Sequence, residues 1–272
     1  MTVLADRLDS VIRHALAGQA RRPLVFGLCG AQGSGKSTLA TALSHRLTET
    51  GVAVAVLSLD DLYCTLAERE ALARDVHPLL RTRGVPGTHD IALGLEVIAA
   101  LGRGEAAVLP RFDKARDDRA PRADWPRPPA GTQVLIFEGW CVGASPQAPA
   151  ALAKPVNELE RREDVQGIWR GYVNRALAGD YQRLFARIDV LAFLAAPDFA
   201  TVYGWRKQQE DELRLRVGDD APGVMADAEL ARFVQHYERL TRHMLADMPR
   251  RVDVLVELAE DRSAKRIALR EG

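Results

Sequence analysis

The chain is poor in aromatic residues, at 6%, holds only three cysteines among 272 positions, and has no excess charge of either sign. Each shortage narrows what it does. Its 37 basic side chains balance 37 acidic ones. A general polyanion binder carries a basic excess, so neither nucleic acid nor an anionic membrane surface is expected as a partner. Cys29, Cys64 and Cys141 are odd in number and far apart. They form neither a disulfide framework nor a CxxC metal site. No apolar run approaches the ~18–20 residues of a membrane span. Asp6, Arg7 and Asp9 stand where a signal peptide needs its apolar core. These absences predict a cytoplasmic, soluble protein, and the length suits one domain over residues 1–272. Hydrophobic residues at 47% and charged residues at 27% are ordinary for a globular protein.

Short apolar runs alternate with helical periodicity along the chain. Leu4, Leu8, Val11, Ile12, Ala15 and Leu16 share one helical face, with Gly18 as a stop. Buried strands are predicted at 23–29, 52–59, 133–137, 188–195 and 252–258, with a shorter one at 106–109. Helices are predicted at 37–50, 90–101, 157–186, 198–217 and 227–248, with a turn at 218–223. Residues 111–132 are rich in charge and proline and read as a long loop, which inside a compact domain is usually functional or disordered. Non-alternating strands separated by helices predict an α/β fold of three layers, a mostly parallel sheet covered on both faces. In such folds ligands sit beyond the carboxyl ends of the strands.

The first strand ends in Gly30, Ala31, Gln32, Gly33, Ser34, Gly35, Lys36 and Ser37, a complete GxxxxGK(S/T) phosphate loop, followed by Thr38 in the next helix. Glycines let backbone N–H groups curl round phosphates, and the helix start adds its dipole. Lys36 is placed to reach the β- and γ-phosphates and the Ser37 hydroxyl to ligand Mg²⁺. The loop therefore predicts a P-loop nucleotide-binding fold. After the second strand stand Asp60 and Asp61, which either orient a hydroxyl nucleophile, hold a metal, or simply cap the following helix. Glu138, directly after the third long strand, matches the metal-side carboxylate of P-loop proteins. Arg206, Lys207 and Arg214 mark a charged helix that is either a solvated face or a lid over the transferring phosphate. Arg111 and Lys114, close behind a strand, suit an anionic substrate, whereas Asp117, Asp118 and Arg119 read as solvated loop and Asp90 as a helix cap. His14, His45, His77, His236 and His243 show no metal-ligand spacing, and Trp125 and Trp169 read as packing.

Together these residues resemble the uridine kinase, phosphoribulokinase and pantothenate kinase group of P-loop enzymes. Within it they are most similar to the plant-type glycerate 3-kinases. The runs that carry the resemblance are LSLDDLY (57–63), RGVPGTHD (83–90), LPRFDKARDDRAP (109–121), FEGWCVG (137–143) and YGWRKQQE (203–210). The resemblance implies MgATP held at 30–38, with Lys36, Asp60, Glu138 and Arg206 catalytic and Ser37, Asp60 and Glu138 on the metal side. It implies a helical lid at about 199–225, with Asp61, Tyr63, Arg83, His89, Arg111 and Lys114 around the acceptor. Asp60 aligns with the group's catalytic acid, with Asp61 adjacent as the alternative. The implied reaction is transfer of the ATP γ-phosphoryl group to the 3-hydroxyl of D-glycerate, a small hydroxy acid. Apart from the resemblance, a monomer or small homo-oligomer is expected. A sibling kinase for uridine, pantothenate or a sugar phosphate is the competing reading, and few aromatics favour a small acid over a nucleoside. No N-K-x-D run supports a GTPase and no LSGGQ-like run a transport motor. Each cysteine lies near a different strand end, which predicts a cluster at the site. Cys64 and Cys141, in loops near Lys36, are expected to be activated thiols.

Overall fold

The structure, a computed structural model, describes residues 2–19, 23–105, 107–218 and 224–270. Its strands are β1 (Leu24–Gly30), β2 (Val54–Ser58), β3 (Phe112–Asp113), β4 (Asp118–Arg119), β5 (Val134–Gly139), β6 (Val190–Ala195), β7 (Val254–Leu258) and β8 (Ala264–Leu269). The main sheet runs β2-β5-β1-β6-β7-β8, parallel except for β8, while β3 and β4 form a separate antiparallel pair. The helices are α1 (Thr2–Gly18), α2 (Lys36–Glu49), α3 (Leu66–Asp75), α4 (Ile91–Gly102), α5 (Glu158–Glu163), α6 (Ile168–Ala176), α7 (Gln182–Phe185), α8 (Phe199–Val217) and α9 (Asp227–Asp247).

The pleat of β1 divides the core. Leu24, Phe26 and Leu28 pack with Leu8 and Ile12 of α1 and Leu39 and Leu43 of α2 on one face. Val25 and Cys29 pack with Val97 of α4 and Met244 of α9 on the other. Such fully buried side chains each contribute about 1.5–3 kcal/mol, and a sheet apolar on both faces is stable only when both are covered. Because β1 lies between β5 and β6, its loop and the end of β5 meet at the centre of the sheet. No helix among the described residues is long and apolar enough to cross a membrane.

The structure departs from the sequence expectations at several places. No strand forms at 107–109, and residue 106 lies outside the described residues. There the Leu109 N–H bonds the Pro126 carbonyl instead of a ladder partner. The loop 111–132 contains the β3–β4 hairpin, whose turn is closed by Asp117 at φ 52°. The helix expected over 157–186 breaks, because Asp164 turns its carboxylate onto the N–H groups of Trp169 and Arg170 and Gly167 adopts φ 72°. The helix expected after Asp61, for which the sequence sets no bounds, is α3, and strand β8 was not foreseen. Arg69 is the buried residue of α3, and β8 is an exposed edge strand, so neither carries an apolar pattern. Of the turn expected at 218–223, residues 219–223 lie outside the described residues.

Candidate active site

The loop after β1 is built to receive an anion. Gly33 and Gly35 adopt φ 78° and 84°, a region that side chains rarely tolerate. Helix α2 begins at Lys36 with no side-chain cap, which leaves its first N–H groups directed at the loop's hollow. Gln32 Oε1 and Ser34 Oγ are buried there without hydrogen-bond partners. A Cβ on Gly30 would lie 2.6 Å from Ser34 Oγ, so the closeness of this wrap requires glycine.

Strand register brings the acid of β5 to this loop. Glu138 pairs in register with Ser58 of β2 and Leu28 of β1. It accepts a 3.0 Å hydrogen bond from Ser37 Oγ through Oε1, while its buried Oε2 has no partner. A hydroxyl and a carboxylate with a spare oxygen fit a hard divalent cation that takes its other ligands from phosphate and water. No group of three or more His, Cys, Asp or Glu side chains among the described residues forms a metal cage of its own.

Asp60 and Asp61 do not cap helices. Ser58 Oγ caps the short turn Leu59–Leu62, and Thr65 with Glu68 caps α3. Asp60 instead receives Lys114 Nζ on Oδ2 at 2.6 Å and the Tyr63 hydroxyl on Oδ1 at 2.8 Å. Burial raises its carboxyl, but Lys114, Lys36 and these hydrogen bonds more than offset this and hold it at about 2. Asp61 accepts Arg111 Nη1 at 3.0 Å and the Phe112 N–H at 3.1 Å. There burial outweighs Arg111, and the carboxyl lies above its ordinary value. Of the three metal-side candidates the structure therefore joins Ser37 to Glu138 and commits Asp60 to Lys114 and Tyr63.

The other acceptor candidates gather around this pair. Arg83 bonds Asp117 and lies 5.5 Å above the Phe112 ring. His89 stacks on Tyr63 with ring centroids 4.7 Å apart, and its Nδ1 lies 2.5 Å from the Tyr181 hydroxyl. Burial lowers the His89 imidazole to about 3, so it is neutral, and its Nε2 is a buried atom without a partner. Asp117, Asp118 and Arg119, expected as solvated loop, are instead structural. Asp117 binds Arg83 and Arg69, Asp118 accepts the Leu66 N–H, and Arg119 joins Asp90 to the Tyr63 carbonyl. The hairpin folds them back onto α3. Asp90 also caps α4 through the Leu93 N–H, as expected. Sequence reasoning missed Arg69 and Tyr181. Arg69 is 1% exposed and donates to the carbonyls of Cys64, Arg81 and Asp117, which pins α3, the 78–83 turn and the hairpin together.

The helix expected to form the lid is α8, and the structure joins its Arg206 to α9 and to its own helix. Its guanidinium is 2.7 Å from the fully buried Glu210 carboxylate and 5.9 Å above the Phe233 ring. Glu210 also accepts the Met225 N–H at 2.6 Å, tying the far side of the 219–223 segment to α8. Lys207 and Arg214 both bond Asp211 along the helix surface.

The thiols are not activated. Cys29 and Cys141 are fully buried, and burial pushes both far above the ordinary thiol range. Cys29 Sγ faces the Trp140 carbonyl at 3.4 Å, beneath the site. Cys64 is half-buried and pushed up to about 11 by burial, Glu68 and Asp90. The expectation overlooked that the segment after β5 turns straight back into the core and that the acids near Cys64 outweigh Arg119 and Arg69.

Residues 25–145 match the Phosphoribulokinase / Uridine kinase family. An uncharacterized kinase of Schizosaccharomyces pombe is 40% identical over 227 residues, covering 79% of each chain. The chloroplastic D-glycerate 3-kinase of Arabidopsis thaliana is 35% identical over 79% of this chain and 46% of its own length. Among solved structures, D-glycerate 3-kinase from Cryptococcus neoformans var. grubii serotype A superimposes with a TM-score of 0.81 at 25% identity, covering 98% of this chain and 99% of that one.

Proposed function

The chain belongs to the phosphoribulokinase and uridine kinase family, and from that premise we propose that this P-loop kinase phosphorylates the 3-hydroxyl of D-glycerate to give 3-phosphoglycerate. One observation carries the choice of acceptor. Arg83, Arg111 and Lys114 are held on acidic partners around Asp60, a carboxylate adjoining the phosphate loop. A small acceptor with its own carboxylate fits such cations, because charged hydrogen bonds to guanidinium and ammonium groups are the strong ones. The similarity to proteins described as D-glycerate 3-kinases supports the same acceptor.

The transition state of phosphoryl transfer is loose, so positioning and charge neutralisation matter more than basicity. That suits Asp60, whose carboxylate stays ionised and is a weak base. The acceptor's carboxylate draws Lys114 away from Asp60 Oδ2, and the freed oxygen takes the hydrogen of the reacting hydroxyl. Tyr63 keeps its proton, being raised well above the ordinary range by burial and by Asp60, and so continues to orient Oδ1. Lys36 and the N–H groups of the loop receive the nucleotide phosphates. Mg²⁺, held by Ser37 and Glu138 together with phosphate oxygens, would supply further charge neutralisation.

The experiment is a panel of acceptors offered with MgATP to the purified protein: D-glycerate, L-glycerate, uridine, pantothenate and ribulose 5-phosphate. ADP release with formation of 3-phosphoglycerate from D-glycerate is the expected result. Turnover of uridine, pantothenate or the sugar phosphate without glycerate would move the protein to a sibling activity.

A further inference from the structure

The turn between β7 and β8 lies far from the phosphate loop in sequence and touches it in space. Arg262 Nε donates a 2.6 Å hydrogen bond to the Gly33 carbonyl, across 229 residues. The same guanidinium lies 5.4 Å above the ring of Trp205, in the lid helix α8. Trp205 Nε1 in turn bonds the Glu260 carbonyl of the turn at 2.5 Å. A Cβ placed on Gly33 would lie 2.6 Å from Trp205 Cβ, so helix and loop are in contact with no room between them.

Arg262 pays a backbone cost to be there. It adopts φ 68°, where glycine and asparagine are the usual occupants. Its turn is already closed by backbone and Asp261 hydrogen bonds, with Arg262 N–H on the Ala259 carbonyl and Ser263 on Asp261 Oδ1. A glycine would serve such a turn better, so the guanidinium has a use beyond closing it.

That use follows from how an anion cradle works. Successive N–H groups must converge on the phosphate, and each intervening carbonyl must turn outward, because an inward carbonyl oxygen repels an anion. An outward carbonyl in a sheltered place needs a donor. We propose that Arg262 is a positioning residue of the nucleotide site: it holds the Gly33 carbonyl outward and clamps the root of the lid helix through Trp205. The phosphate loop thereby keeps its ATP-binding shape before ATP arrives. This rests on the P-loop kinase reading and not on the identity of the acceptor.

The test is binding of MgATP to the intact protein by titration calorimetry, with no acceptor present. Losing a charged hydrogen bond predicts about a 10-fold weaker Kd for Arg262→Ala. In turnover assays the KM for ATP should rise by the same factor, with kcat and the acceptor KM within about two-fold. Arg262→Lys, which keeps a donor, should recover part of the loss. Arg262→Gly removes the guanidinium while relieving the left-handed backbone, so it should melt no lower than the wild type and still bind MgATP about 10-fold more weakly. Wild-type affinity in either Arg262→Ala or Arg262→Gly overturns the proposal. Recovery in Arg262→Gly alone would make the effect one of backbone strain. A wild-type chain that does not bind MgATP would overturn the nucleotide-site reading as well.

Discussion

Lys114 Nζ lies 2.6 Å from Asp60 Oδ2, so the cation that the β3–β4 hairpin carries covers the carboxylate proposed to receive the hydroxyl proton. Lys114 is exposed enough to leave, with 60% of its side chain in contact with solvent. Water, being neutral, cannot displace it as an anionic acceptor can. Under the proposed function, this pairing would favour phosphorylation of an anion over idle hydrolysis.

Asp60→Asn should lower kcat by ~10²–10⁴ while MgATP still binds, because the proposed mechanism sets Asp60 against the acceptor and not the phosphates. Lys36→Ala should abolish transfer. Steady-state kinetics beside nucleotide titration separates the two effects. An Asp60→Asn enzyme with nearly normal kcat would remove the base from this position.

Lys114→Met should shift the acid limb of the kcat/KM profile. With Lys114 present, burial of Asp60 is more than offset by Lys114 and Lys36, and the carboxyl lies at about 2. Without it, burial is opposed by less positive charge and the pKa rises by roughly one unit or more. The base must be ionised to work, so activity is lost at a higher pH than in the wild type. The acceptor KM should rise ~10–100-fold, with that for ATP little changed. An unmoved acid limb would mean that Lys114 does not govern the base in solution.

Asp61 holds the hairpin through Arg111 and the Phe112 N–H. Asp61→Ala should therefore raise the acceptor KM by roughly 10-fold, whereas Asp61→Asn, which keeps an oxygen for Phe112, should do so less. In both, kcat should fall far less than in Asp60→Asn. If Asp61→Asn matched Asp60→Asn in kcat, the roles of the two carboxylates would have to be exchanged.

Acid should destabilise the fold through a histidine outside the site. Burial holds the His236 imidazole neutral and lowers it to about 4, and it is 3% exposed. An unfolded histidine titrates near ~6.5, so between that pH and about 4 the unfolded chain binds the extra proton. Stability attributable to His236 is thus complete above that range and falls as pH drops through it, by about 2–3 kcal/mol at pH ~4.5. Urea midpoints for wild type and His236→Gln at pH ~7 and pH ~4.5 test this, with a smaller drop expected in the variant. Parallel drops would assign the acid sensitivity to other groups, His89 first among them, since burial also lowers it, to about 3.

Much of the fold was legible because its signals are local. The glycines at 33 and 35 mark positive φ, the β-branched and apolar runs mark strands covered on both faces, and the acid at the end of β5 marks the centre of the sheet. The break at 164–167 was not legible in the same way. It depends on Asp164 choosing backbone N–H groups five and six residues ahead, and on Arg170, 5% exposed, completing that carboxylate's bonds. Likewise β8 is an edge strand whose residues are mostly exposed, so no periodicity betrays it.

The amino-acid sequence by itself determined the phosphate loop, the parallel sheet and the presence of carboxylates at strand ends, since these follow from backbone geometry and side-chain periodicity within a few residues. Only the tertiary structure decided what each charge does. Asp60 and Asp61 are neighbours in the chain, yet one is paired with Lys114 and the other anchors the hairpin 50 residues on. Arg206 is held by a buried glutamate, and Arg262 reaches the phosphate loop from the far end of the chain. Cys141, placed by sequence in a loop, is shut in the core. A charge or thiol is set by its nearest partners and by the water excluded around it, and both are fixed when distant segments pack together.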